Sequence, residues 1–325
     1  MKVKKLVIDY STLSTWRTCP SKFNYRYVQQ LTGKSDSEAL VFGSLVHRGL
    51  ERIYRDCGSV VPTDGTTHEI DYLGSGNIPS STNDPLTNAL HWIAAEAAKT
   101  CIGTTLPDNR RSIKHLLTLL TAYFKNYFPD PLVPSRFESF HKVALTDRIS
   151  FCGTVDGIVD TIPAVFETKT TSFLNSNFLE RLNPNDQATG YCVLASDLLG
   201  KPVRTIVFNG ISTSGYGMTP GALTSKPDKW MLYREPARLF LRAETHRSDA
   251  DIEDWLSRLL RDCNRIIEDI ESDTFSKNGP DSCTIFNSTC SFIDLCRTRK
   301  ENVPILIQNT MKVEPWKGCT VEVEA

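Results

Sequence analysis

The chain has no run of about 18 apolar residues, the length a helix needs to cross a bilayer, so no membrane span is expected. Its opening Met1-Lys2-Val3-Lys4-Lys5-Leu6-Val7-Ile8 holds too short an apolar stretch for an export signal. That points to a reducing, cytoplasmic setting in which cysteines stay unpaired. No internal repeat is present, and no Gly-x-x-x-x-Gly-Lys-Ser/Thr phosphate loop, which argues against an ATP-driven motor within the chain. Excess charge is missing too: 37 Lys and Arg balance 38 Asp and Glu, for a net charge of -1. Such a balance excludes strong non-specific coating of nucleic acid and leaves room only for a local basic groove. Candidate contributors are Arg17, Lys22 and Arg26, and Arg110, Arg111 and Lys114. What the chain does have is material for a large core, with 40% hydrophobic residues over 325 positions, and ten cysteines.

The richest stretch is Gly153-Thr154-Val155-Asp156, followed by Glu167-Thr168-Lys169. Residues 151–159 and 164–170 are dense in Val, Ile, Phe and Thr and flank Asp160-Thr161-Ile162-Pro163, the composition of two strands and a turn. With a period of two, Val165, Glu167 and Lys169 share one face and Phe166 and Thr168 the other. Closing the hairpin about Thr161-Ile162 sets Asp156 opposite Glu167. Two carboxylates so placed repel and raise each other's pKa unless a cation lies between them. Mg²⁺ or Mn²⁺ fits, polarising a phosphoryl oxygen and supplying hydroxide near neutral pH. Lys169 would orient the attacking water or stabilise charge on the phosphate. The plainer alternative is an Asp156–Lys169 ion pair with Glu167 in solvent. The apolar Phe151, Val155, Ile158, Val165 and Phe166 argue against it, because isolated charges in a buried hairpin are costly.

Upstream, Phe42, Val46, Leu50 and Ile53 keep helical spacing, and His47 lies beside that stripe with Glu51 one turn further on. A lone helical histidine is more often structural than a ligand. Gly43, one turn before it, would let a strand approach closely. Downstream, Asn183-Pro184 reads as a helix start and Gly200 as its stop, with Gln187 and Tyr191 one turn apart on one face. Alone, these two would be ordinary surface and core residues.

In order, the pattern is Gly-x-x-x-His, Gly-x-Val-Asp, Glu-x-Lys and Gln-x-x-x-Tyr. It resembles the RecB-like branch of the PD-(D/E)xK nuclease superfamily over roughly residues 10–200. The resemblance implies an α/β, restriction-endonuclease-like core with a mixed central sheet flanked by helices. It also implies that His47, Asp156, Glu167 and the Thr168 carbonyl bind the metal, that Lys169 is catalytic with Asp156 and Glu167, and that Gln187 and Tyr191 hold DNA. The expected activity is metal-dependent hydrolysis leaving 5′ phosphates, most naturally as an exonuclease on single-stranded or frayed ends in recombination, repair or CRISPR adaptation, with helicase or adaptation partners. A non-catalytic DNA-binding subunit and a site-specific endonuclease are the rival readings.

Cys283, Cys290 and Cys296 crowd into a polar segment with little core to bury a thiol, where metal binding explains the clustering. Cys19, before Pro20 at a helix start carrying Phe23 and Tyr27, is a fourth candidate, since the helix dipole favours thiolate. Four thiolates suit either Zn²⁺ or an iron–sulfur cluster. A subset of RecB-like nucleases carries one cysteine before the core and three after it around a [4Fe–4S] cluster, and the resemblance implies that group here, joining the N- and C-terminal segments. The six residues between Cys283 and Cys290 depart from the two that are usual in that subset. Cys263, by contrast, falls on the apolar face of Ile252, Trp255, Leu259, Ile266 and Ile270 and reads as core.

The whole chain, 1–325, is expected to be one nuclease domain, with 58–88 a polar loop insertion and 273–300 the cysteine segment. Helices are expected over 89–100, 110–128 and 249–272, a strand over 203–211 and a polar loop over 212–229. The tail after Arg299 is too short to be a domain.

Overall fold

The hairpin of the Asp156 and Glu167 motifs forms the centre of the sheet. In the computed structural model, which describes residues 2–33, 38–58, 84–100, 111–213, 238–285 and 288–324, β4 (Ile149–Val159) and β5 (Ala164–Thr171) run antiparallel, with Gly157 opposite Phe166 and Val159 opposite Ala164. A strand with no expectation attached to it, β3 (Arg136–Ala144), pairs antiparallel along β4 from Ser150 to Ile158. Because β3 fills that edge, β1 (Val3–Ile8) and β5 share the other in succession, β1 in parallel at 149–151 and β5 at 157–159. Between them the sheet forks, and residues 152–156 face the opening.

From β5 the chain crosses through α6 (Ser176–Glu180) and α7 (Asp186–Leu199) to β6 (Thr205–Ser212), parallel to β5, and then to β7 (Phe240–His246), antiparallel to β6. With β11 (Thr320–Val323) outside β1, the result is a mixed seven-stranded sheet.

Each face of the sheet carries its own core. On one face α7 and α8 (Asp249–Ser272) bury Tyr191, Trp255 and Leu259 against Phe151, Val155, Val165 and Phe208. Gly190 permits that approach, since a Cβ there would lie 2.8 Å from the rings of Phe151 and Trp255. On the other face α3 (Glu38–Cys57), α4 (Pro85–Lys99) and α5 (Ile113–Tyr127) pack Phe42, Leu90, Leu116 and Tyr123 against Val159, Phe166 and Val207. Each fully buried Leu, Val or Phe contributes about 1.5–3 kcal/mol, so both helical layers are firmly held. The sheet is therefore mixed and flanked by helices, as expected. The start of α7 differs from the sequence reading. The capping side chain is Asn185, which accepts the Ala188 N–H, two residues after Asn183. Gly200 does end the helix, in the left-handed region at φ 62°.

The ends of the chain meet. α1 (Tyr10–Thr18) and α2 (Pro20–Phe23) lead to β2 (Leu31–Gly33), which pairs with β10 (Met311–Val313), while β11 pairs with β1. The tail after Arg299 thus supplies strands to partners near the N-terminus, a tie that composition alone did not reveal. Most of the expected 58–88 excursion and of the 212–229 loop lies outside the described residues.

Candidate metal centre and active site

At the fork, Asp156 stands in register opposite Glu167, but a side chain replaces the ladder hydrogen bond there. The Thr168 N–H donates to Asp156 Oδ2 at 2.9 Å. Because the N–H and C=O of one extended residue leave by the same edge, the Thr168 carbonyl faces the same opening. From α3, His47 Nδ1 comes within 3.4 Å of Asp156 Oδ2. From β3, Glu138 lies in register opposite Asp156, at φ 44°. A non-glycine residue there costs on the order of 1–3 kcal/mol and persists only where its surroundings impose it. His47, Glu138 and Asp156 each offer a ligand atom within 4.8 Å of the others. Glu138 is the site residue that sequence reasoning missed. The signal was present as an alternation over 136–144, with half-buried Phe137, Ser139 and His141 between exposed neighbours, next to the strand that carries Asp156.

The second half of the site is a chain of polar contacts. Glu167 is 1% exposed, and its Oε1 lies 2.6 Å from Lys169 Nζ. Lys169 Nζ donates to Gln187 Oε1 at 2.7 Å, and Gln187 Nε2 donates to Tyr191 Oη at 2.9 Å. Gln187 and Tyr191, expected on one helix face, therefore reach inward to the lysine. Tyr191 also packs on Gly153, where a Cβ would lie 3.1 Å from its ring. Gly43 brings α3 against the end of β5, with Thr170 Oγ1 3.0 Å from where a Cβ would stand. A cleft of about 470 Å³ opens there, bordered by Leu40, Ser44, Arg48, His47, Glu138 and Asp156. Glu51, one turn beyond His47, pairs with Arg55 at 2.7 Å.

The electrostatics follow from burial and crowding. Burial, with repulsion from Asp156 next, raises Glu167 to about 7 despite Lys169. The same two causes raise Glu138. Burial opposes charge on His47, yet Asp156, with Glu167 and Glu138 behind it, holds the imidazole above its ordinary value. Burial likewise opposes charge on Lys169, and Glu167 more than offsets it. Glu167 Oε2 is buried without a hydrogen-bond partner. A site that crowds carboxylates and leaves a buried carboxylate oxygen unmatched fits a divalent cation with oxygen and imidazole ligands.

Behind the site runs a buried polar network. Asn209, fully buried on β6, donates to Thr168 Oγ1 at 3.3 Å and accepts from Tyr123 Oη at 3.1 Å. Tyr123 meets Tyr54 Oη at 2.8 Å, Tyr54 donates to Asp130 at 2.6 Å, and Arg242 binds Asp130 and both tyrosines. Tyr54 lies two turns from His47 on α3, so the network ties the helix of the histidine to the strand of Thr168.

At the other end of the molecule, a hairpin of β8 (Thr284–Ile285) with β9 (Ser288–Thr289) folds Cys283 and Cys290 together, and the Cys290 N–H donates to the Cys283 carbonyl at 2.8 Å. The six-residue spacing is absorbed by this turn. Burial raises the Cys296 thiol, Lys277 opposes, and Cys19, Cys290 and Cys283 add to the rise, so the four sulfurs share one neighbourhood. They do not form a closed cage: among the described residues, His47, Glu138 and Asp156 alone meet the 4.8 Å separation. Cys263 is fully buried in the core, as its helical position indicated.

Two solved structures are similar to this chain. One, of a candidate exonuclease from Eubacterium rectale, gives a TM-score of 0.45 at 11% identity, covering 89% of this chain and 92% of that one. The other, a phage-related exonuclease from Haemophilus somnus 129PT, gives 0.32 at 11% identity, covering 61% and 91%. No curated protein sequence matches. No described helix is long and apolar enough to cross a membrane. The sequence profile of the PD-(D/E)XK nuclease superfamily matches residues 9–297, a span that holds His47, Asp156, Glu167, Lys169 and Gln187, and the chain belongs to that superfamily.

Proposed function

We propose that the protein is a Mg²⁺- or Mn²⁺-dependent deoxyribonuclease of the RecB-like branch, acting as an exonuclease on single-stranded or frayed DNA ends and leaving 5′ phosphates. The observation that carries this reading is the meeting at one fork of His47, Glu138 and Asp156 with the Glu167–Lys169 pair. His47, Asp156, Glu167 and the Thr168 carbonyl would hold the ion, with Glu138 as a further ligand or as the base for a water. When bound, the ion polarises a phosphoryl oxygen and lowers the pKa of a water. The chain does the rest. Lys169, fixed between Glu167 and Gln187, keeps a positive charge beside the phosphorus as negative charge builds on its oxygens. Asp156 is oriented toward the proposed ion site by the hydrogen bond it accepts from the Thr168 N–H. Gln187 and Tyr191 act on DNA through the lysine they position.

Support for a [4Fe–4S] cluster on Cys19, Cys283, Cys290 and Cys296 comes from the shared neighbourhood of the four thiols and from the hairpin that returns Cys290 to Cys283. Anaerobically purified protein should be brown. Colourless protein with stoichiometric zinc would replace the cluster and keep the ligands. For the activity, end-labelled linear and closed circular DNA are incubated with Mg²⁺, Mn²⁺ or chelator. Mononucleotide release from linear DNA alone, abolished by chelator, is the expected result; discrete cuts in the circle would make the enzyme an endonuclease.

A further inference from the structure

A second cleft, of about 770 Å³ against about 470 Å³ at the fork, is a groove between α1 and α8. Two of its lining side chains, Arg17 and Arg258, converge on Asp186. Arg258 binds that carboxylate through two nitrogens at 3.1 Å each, and Arg17 binds it from the other wall. Asp186 directly precedes Gln187, the acceptor of the Lys169 ammonium, so two arginines of the groove wall are anchored one residue from the group that positions the catalytic lysine. Along α8 the groove then presents Arg261 and Arg265. Both are exposed, and neither makes a hydrogen bond or ion pair among the described residues. The acids around them are mostly engaged: Asp262 accepts from Arg17 at 2.7 Å and Asp269 from Trp16 Nε1 at 2.7 Å. Glu268 alone of the lining acids is exposed and without a partner among the described residues.

We propose that this groove holds the sugar-phosphate backbone of one DNA strand next to the active site, with Arg261 and Arg265 each contacting a phosphate. Four residues of helix rise about 6 Å, close to the separation of neighbouring phosphates along an extended strand. Arginine suits the task, because its planar fork binds phosphate oxygens in pairs. Arg17 and Arg258 are already engaged, both by Asp186 and by Asp262 and Asp254 respectively, and shape the groove rather than bind in it. Glu268 weakens the contact and keeps a nearly neutral protein from gripping DNA indiscriminately.

The proposal rests on the nuclease reading, so its test separates the two. Binding of a fluorescently labelled single-stranded oligonucleotide is followed by anisotropy in chelator, where no cutting occurs, against salt concentration. Arg261→Ala with Arg265→Ala should weaken binding roughly tenfold at low salt and flatten the log–log salt slope by about 1.4, at 0.7 per lost phosphate contact on a single strand. Glu268→Gln should tighten binding. Wild-type affinity and slope in the double variant, in a preparation that still cuts DNA with metal, would overturn the groove and leave the nuclease standing. A wild-type protein that neither binds nor cuts DNA would overturn both.

Discussion

At the scale of single residues, the roles proposed at the fork can be tested one side chain at a time. Asp156→Ala, Glu167→Ala or Lys169→Ala should lower DNA cleavage by at least about 10² with the fold retained by circular dichroism, the range expected for loss of a positioned acid, base or electrostatic group. Cleavage at the wild-type rate by any of them would remove that residue from the site. Glu138→Gln should do the same if Glu138 is a ligand or base. Glu167 also sets a dependence of stability on pH. Its folded pKa of about 7 stands above the ordinary 4.5 because of burial and Asp156. Between those values the folded protein binds the proton more tightly than the unfolded chain. The contribution of Glu167 to metal-free stability is therefore full below about 4.5 and falls away as pH rises to about 7. His115 works in the opposite sense, since burial holds it near 4 and its contribution is lost as pH falls from 6.5. The informative quantity is thus the difference in Tm between wild type and Glu167→Gln, without metal, from pH 5 to pH 7.5. Wild type should lose ground to the variant as pH rises and recover it on adding Mn²⁺. A constant difference would show that Glu167 is not held protonated.

At the scale of elements, what was legible in the sequence was local. The β4–β5 hairpin, α8 with its buried Cys263, and the Gly200 stop could be read because periodicity, turn composition and caps are properties of neighbouring residues. The cap of α7 was misplaced because Asn183 and Asn185 carry the same chemistry, and only the backbone decides which side chain reaches Ala188. Strand β3 was missed, and Glu138 with it, because polar Ser139 and His141 stand among its half-buried positions while apolar Phe140 and Ala144 stand among its exposed ones, which blurs the alternation. The network through Asp130 and Arg242 was invisible in principle: it joins α3, α5, β6 and β7 across the fold. Burying such a pair is seldom the most stable choice, but removing one partner leaves an uncompensated charge. Asp130→Ala should therefore destabilise the protein by about 3–5 kcal/mol in urea unfolding. Asn209→Leu tests the other end, where loss of the hydrogen bond to Thr168 Oγ1 should weaken Mn²⁺ binding, measured by calorimetry, more than it lowers the urea midpoint. Unchanged Mn²⁺ affinity would make the network purely structural.

At the scale of the whole molecule, the two ends are tied by strand pairing, and the segment that carries the proposed thiol ligands shares a small core with that tie. Leu31 beside β10 packs with Phe292 and Leu295 of the cysteine segment, and Met311 and Ile307 lean on the same group. β11 covers the edge of β1, the strand that props the N-terminal side of the fork by pairing with residues 149–151. Ending the chain at Thr310 would strip β11 from the outer edge of β1 and β10 from β2 and open both edges. Each ladder hydrogen bond lost costs about 0.5–1.5 kcal/mol, so the truncated protein should unfold at clearly lower urea. If Cys296 is a ligand of the proposed cluster, Cys296→Ala should also destabilise, through lost cluster binding. Because both changes loosen the Leu31–Phe292–Leu295 core, their costs should fail to add, with an interaction energy of about 0.5–3 kcal/mol in a double-mutant cycle. The sign is fixed by mechanism: once either tie is gone the shared core is already slack, so the second change costs less than it does alone. Strict additivity would mean that the strands and the thiols hold the ends independently, and the cysteine segment would then be an appendage rather than the closure of the fold.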